Sequence, residues 1–244
     1  MQPLSKAFDA FFVHSRAAVP LPLVGDGEYA DIVKAILSPV HPVFRDDLEA
    51  PVLDLQSESD VTGILKSATV RQPDSDRFRL WEVAGTSHAD AHLLGSAASG
   101  VDCGVAINDG PMHLVAKAAF HSLEAWARGG TPPTSAPLLD VDTAALAIQR
   151  DADGIALAGI RTPPVDVPVD VLSGEPAPKA SLFCTLLGST TPLPDARIAE
   201  LYANRADYEA KYQADADQTI TSGFVLEADR DALSGFAQPL RVAP

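Results

Sequence analysis

Two short runs of the chain hold residue types suited to acid–base chemistry. PVLDLQSESD, residues 51–60, is an apolar segment that ends on two carboxylates, Glu58 and Asp60. RLWEVAGTSHAD, residues 79–90, is an apolar segment that passes through Gly85, Thr86 and Ser87 to His88. A carboxylate that accepts an imidazole N–H fixes the ring's tautomer and stabilises the imidazolium formed when the ring takes a proton. A histidine held in this way can serve as the base that activates a hydroxyl nucleophile. The first choice for the acid is Asp60 and the second is Glu58, and the sequence leaves both open.

No serine stands in a Gly-x-Ser-x-Gly setting; GSAASG at 95–100 has the wrong spacing and follows the histidine. Ser15, Ser57, Ser87 and Ser96 are the remaining hydroxyls to consider. His88 and His92, with Asp90 between them, imitate a zinc pair. A third ligand and the glutamate of an H-E-x-x-H helix are missing, so neither metal nor cofactor is expected. Asp151 and Asp153 before Gly154 fit a hairpin turn better than a calcium loop. Arg161 near Asp166 and Asp170 reads as a structural ion pair before it reads as a binder of a substrate carboxylate. His113 and His121 read as surface or core-edge residues, and His14 closes a strand that ends near the presumed site mouth.

The elements that must position these groups alternate. Residues 8–13 read as a strand, 26–37 as a helix with Tyr29, Ile32, Val33, Ile36 and Leu37 on one face, and 51–56 and 78–84 as two further strands. This order suggests part of a mostly parallel sheet, whose strand ends converge on one side. A helix follows between the capping run at 108–111 and Gly129-Gly130, with Val115, Ala119, Leu123 and Trp126 on its buried face. After TPPTSAPLL the pattern changes to a hairpin around Gly154, an extended proline-punctuated stretch (RTPPVDVPVDVLSG), and helices around PDARIAELY, RADYEAKYQADAD and EADRDALSGF. The reading divides the chain into a core over 1–131 and a proline-rich, hairpin and helical extension over 132–244, packed on the same domain.

Composition excludes several function classes. A net charge of −15 argues against nucleic acid and anionic membrane as partners. No apolar run approaches a membrane span, and MQPLSKAFDAFF lacks the layout of a signal peptide, which leaves the cytoplasm as the default compartment. Cys103 and Cys184, among apolar or small neighbours, read as buried free thiols.

The segments FDAFFVHSR, PVLDLQSESDV, RQPDSDRFRLWEVAGTSHAD, NDGPMHLVAKAA, GIRTPPVDVPVDVLSG and LYANRADYEAKY resemble the bacterial α/β-hydrolase-domain proteins, an esterase-like family. The resemblance implies an α/β fold and a serine hydrolase with His88 as base and Asp60 or Glu58 as its acid. In that family the serine precedes the segment matching QPLSKAFDAFF. The expectation is therefore a partial α/β-hydrolase fold, the C-terminal half of such an enzyme, with its acid and histidine but without its nucleophile. The chain alone would be inactive, and a small-molecule ester would be its substrate once an N-terminal half completed the site. The rival expectation is a non-catalytic binding or structural module derived from a hydrolase. Strand 8–13 would have an unpaired edge and could support self-association.

Overall fold

The computed structural model describes residues 7–20, 24–31, 33, 42–178 and 180–244. Three parallel strands form the central sheet: β1 (Phe11–His14), β2 (Val52–Ser57) and β3 (Phe78–Val83), in the order β1-β2-β3. β1 pairs from Phe11↔Val52 to His14↔Leu55, and β3 pairs from Phe78↔Val52 to Val83↔Ser57. Past β3 the sheet continues through a parallel bridge between Val83 and Ile160. Among the described residues, β1 has a strand neighbour on one side only.

Parallel strands are covered on both faces, and every residue of β2 is buried. The period-two alternation sends Leu53, Leu55, Trp81 and Val83 to one face. There they join Leu114, Val115, Leu123 and Trp126 of a 16-residue helix, α3 (Met112–Ala127). That helix keeps the expected buried face. The same cluster takes in Ala216, Val225 and Leu233 from late in the chain. The opposite face is part polar: Val52, Phe78 and Leu80 pack together, while Asp54, Gln56 and Glu82 are buried beside them. Arg71 answers Glu82 at 2.7 and 2.5 Å, and Arg16 stands 3.6 Å from Asp54. Burial still raises the Asp54 carboxyl to about 6.

A one-turn helix, α1 (Glu58–Thr62), follows β2, and another, α2 (Ala91–Leu94), follows the loop after β3. Beyond α3 lie the two-residue strands β4 (Val141–Asp142) and β5 (Ala147–Ile148) and the helix α4 (Pro163–Asp166). Then come the antiparallel pair β6 (Asp170–Ser173) and β7 (Ser189–Pro192), and the helices α5 (Asp195–Leu201), α6 (Arg205–Thr221) and α7 (Arg230–Ser234).

Several expectations need correction. Tyr29 is 97% exposed and Val33 69%, so neither sits on a buried helical face; Ile32, Ile36 and Leu37 lie outside the described residues. The hairpin around Gly154 keeps its turn, with Gly154 at φ +88°, but its ladder shrinks to one bridge, Arg150↔Ala156. Asp151 spends its carboxylate on the backbone N–H groups of Asp153 and Ile155, which accounts for it without an ion. The stretch read as extended opens with α4, because two prolines are suited to the first positions of a helix. The β6–β7 pair was not anticipated; β7 reads STTP, too polar and too short to signal a strand.

The cysteines are not free. Cys103 and Cys184 form a disulfide across 81 positions. It clamps the turn at 184–187, whose Leu186 carbonyl accepts from Ala89 N–H at 3.0 Å and whose Leu187 carbonyl accepts from Asn108 N–H at 2.9 Å. The crosslink thus braces the loop carrying His88. Two isolated cysteines with apolar neighbours look alike in sequence whether paired or not. Closing so long a loop restricts the unfolded chain, so reduction should lower stability by about 2–5 kcal/mol, a fall in melting temperature of about 5–15 °C. Thermal melts with and without a dithiol, with alkylation to count free thiols, test this; an unchanged melt of fully reduced protein would refute the brace.

Candidate active site

The C-terminal ends of β1, β2 and β3 deliver His14, Ser57 and Val83 to one edge of the sheet. Immediately beyond β2, Ser57 caps α1. Its hydroxyl accepts from Asp60 N–H, and the Asp60 carboxylate accepts from Ser57 N–H, a reciprocal capping box. This local motif sets the rotamer of Asp60. The carboxylate is fully buried, and its Oδ2 accepts from Ser57 N–H at 2.9 Å, Ser57 Oγ at 2.7 Å and Ser15 Oγ at 3.0 Å. Oδ1 is left for one partner, His88 Nδ1, at 2.8 Å.

The arrangement dictates the imidazole's tautomer. A carboxylate only accepts, so Nδ1 carries the hydrogen and Nε2 of the neutral ring keeps its lone pair. The hydrogen bond to Asp60 raises the His88 pKa above 6.5, with burial acting against it. The His88 side chain remains 34% exposed, which leaves it open to a reacting group. Its backbone is held as well: His88 N–H donates to Ser59 Oγ at 2.6 Å. The entry to this loop needs a glycine, since Gly85 has φ +67° and an added Cβ would lie 2.5 Å from Val165 Cγ2.

Glu58 has a different job. It is fully buried and accepts from Gly85 N–H at 2.5 Å, Gly174 N–H at 3.0 Å and Arg150 Nη2 at 2.7 Å. It joins the turns after β3 and β6 to the hairpin around Gly154 and makes no hydrogen bond to His88. Glu58 thus forms a buried ion pair with Arg150. A capping signature, Ser57-x-x-Asp60, was present in the sequence and would have separated the two carboxylates.

The other hydroxyls are engaged elsewhere. Ser57 is committed to Asp60, buried Ser87 donates to the Ala89 carbonyl, and Ser96 lies on an exposed 3₁₀ turn, Gly95–Gly100. Ser15 sits at φ +58°, a conformation rare outside glycine, and donates to Asp60 rather than to His88. Among the described residues no serine hydroxyl is hydrogen-bonded to the His88 ring. His14 is 3.5 Å from Ser15 Oγ and is lowered in pKa, first by burial, with His88 acting in the same direction against Asp60 and Asp90. Ser15, Ser59 and Arg150 were not assigned these positioning roles from sequence, because each acts across 29 to 92 positions. His92 stacks on His113 instead of pairing with His88 around a metal, and among the described residues no cluster could hold a metal ion.

The His88 titration tests the geometry. Asp60→Asn should lower its NMR midpoint below the wild-type value, because burial is then unopposed. The pH-dependent part of the wild-type advantage in stability should be full below 6.5 and vanish as pH rises through the higher folded midpoint. Glu58→Gln should leave the midpoint in place and cost about 1–3 kcal/mol, since Arg150 loses its buried partner but keeps Glu175 at 3.4 Å. If Glu58→Gln moves the midpoint and Asp60→Asn does not, the assignment of the two carboxylates is reversed.

A sequence-family model described as "Alpha/beta hydrolase domain" matches residues 1–234. No curated protein and no solved structure matches the chain. With nearly the whole length matched, the chain belongs to the alpha/beta hydrolase domain family.

Proposed function

We propose that Asp60 and His88 are the acid and base of a serine hydrolase acting on carboxylic esters. The observation that carries the reading is the 2.8 Å hydrogen bond between His88 Nδ1 and a buried carboxylate at the C-terminal edge of a parallel sheet. In this scheme the Nε2 lone pair takes the proton of a serine hydroxyl as its oxygen attacks the ester carbonyl. The imidazolium, held by Asp60, returns the proton to the leaving alkoxide. Water then attacks the acyl-enzyme by the same route.

The nucleophile would lie on a strand along the side of β1 that has no strand neighbour among the described residues, rather than being Ser15, Ser57, Ser87 or Ser96. A separate N-terminal half, or a longer chain, would supply that strand and with it the backbone N–H that follows the nucleophile in an oxyanion hole. The side of β1 that has no strand neighbour among the described residues also supports self-association as the alternative use of the same surface. A net charge of −15 supports a partner other than nucleic acid. The disulfide supports work in an oxidising compartment rather than the cytoplasm expected by default.

The test is hydrolysis of aryl acetates by the purified chain, beside His88→Ala. Loss of a nucleophile costs about 10⁶-fold in turnover in a serine protease, so the chain alone should do no better than free imidazole and should take no fluorophosphonate label. Supplying the serine-bearing half should create turnover that His88→Ala removes. Turnover that survives His88→Ala would refute the base. A fluorophosphonate label on a serine of this chain would refute the placement of the nucleophile.

A further inference from the structure

A second concave site lies behind the His88 loop and includes neither His88 nor Asp60. It is a cavity of about 490 Å³ between α2, α4, β6 and the last helices. That size is within the span of small-molecule sites. Pro164, Val167, Val169 and Leu172 form an apolar wall, and Tyr208 and Phe236 add two aromatic rings. Asp109, Asp170, His92 and Gln238 supply the polar groups.

The polar groups are unbalanced in charge. Asp170 is answered by Arg241 at 3.0 Å and by Gln238. Asp109 accepts from Thr190 Oγ1 at 2.8 Å, and among the described residues it has no cationic partner. Its pKa is raised, first by burial, while the hydrogen bond from Thr190 acts the other way and nearby Asp170 and Asp90 add to the rise. His92 lines the same cavity, and no ion pair joins it to Asp109. Its ring lies 3.5 Å from that of His113, and His113 is lowered in pKa by burial first and then by His92.

A solvent-exposed carboxylate with no ion-pair partner among the described residues, in a pocket with an aromatic and aliphatic wall, matches an ammonium head on a hydrocarbon body. We propose that this cavity binds a small organic ammonium ion, its charged head at Asp109 and its apolar body along Val167, Val169, Leu172 and Phe236. The site is independent of the hydrolase reading. Its occupant would meet Ala91 and His92 on α2, whose capping residue, Asp90, follows His88 by two positions.

Calorimetric titration of the whole chain with hexylammonium, hexanol and hexanoate tests the inference. Hexylammonium should bind saturably and more tightly than hexanol, and hexanoate should not bind. Asp109→Asn keeps the acceptor for Thr190 and should weaken hexylammonium by about tenfold or more, the loss of one charge-assisted contact. Asp195→Asn, an exposed carboxylate outside the cavity, should leave affinity unchanged and so exclude general attraction to an acidic surface. Equal affinity for hexanol, no saturation by hexylammonium, or full affinity in a folded Asp109→Asn would overturn it. If that variant does not fold, the ranking of the three probes on the unaltered chain decides.

Discussion

The ends of three strands are held together through one buried carboxylate. Asp60 is a charge without access to water, and such a group is tolerated only when its lone pairs are filled. Three donors fill Oδ2, from the turn after β2 and from the residue after β1, and the imidazole brought by the loop after β3 fills Oδ1. The capping box settles where the carboxylate points before the distant partners arrive. Ser15 and His88 then have one place each to go, and the tautomer of the ring follows. Ser15, at φ +58°, places its hydroxyl 3.0 Å from Asp60 Oδ2, a hydrogen bond that offsets part of the strain.

The neighbouring acid shows how the surroundings divide labour between like residues. Glu58 and Asp60 are two positions apart on one short helix, so they face different ways. Glu58 meets an arginine and two backbone N–H groups and becomes a tie between loops. Glu82 repeats the pattern with Arg71 and Leu139 N–H on the polar face of the sheet. The chain is strongly acidic, yet three of its buried carboxylates, Asp54, Glu58 and Glu82, face arginines whose planar donors suit them. The excess negative charge is left to the surface and to the cavity behind α2.

The later part of the chain bears on the site without touching its reactive atoms. The disulfide fixes the 184–187 turn, and that turn holds Ala89 and Asn108 through two carbonyls. Asn108, fully buried, bonds the carbonyls of Gly85 and Ser173, joining the His88 loop to β6. Among the described residues no helix is long and apolar enough to cross a membrane; the long helices lend their apolar faces to the sheet and to one another.

The sequence by itself determined the features that depend on local periodicity and short motifs. The three sheet strands, the long helix with its buried face, the turn at Gly154, and an acid followed by a histidine could all be read, because each is written in neighbouring residues. Tertiary structure decided everything that depends on partners far along the chain. It gave His88 and Ser15 to Asp60 and Arg150 to Glu58, partners that lie 28, 45 and 92 positions from those carboxylates. It also paired two cysteines 81 positions apart, formed an antiparallel pair from a polar strand, and shaped a cavity lined by residues from Ala91 to Gln238. A side chain's type limits what chemistry it can do. Which of those options it takes depends on its charge neighbours and its exposure to water, and only folding sets both.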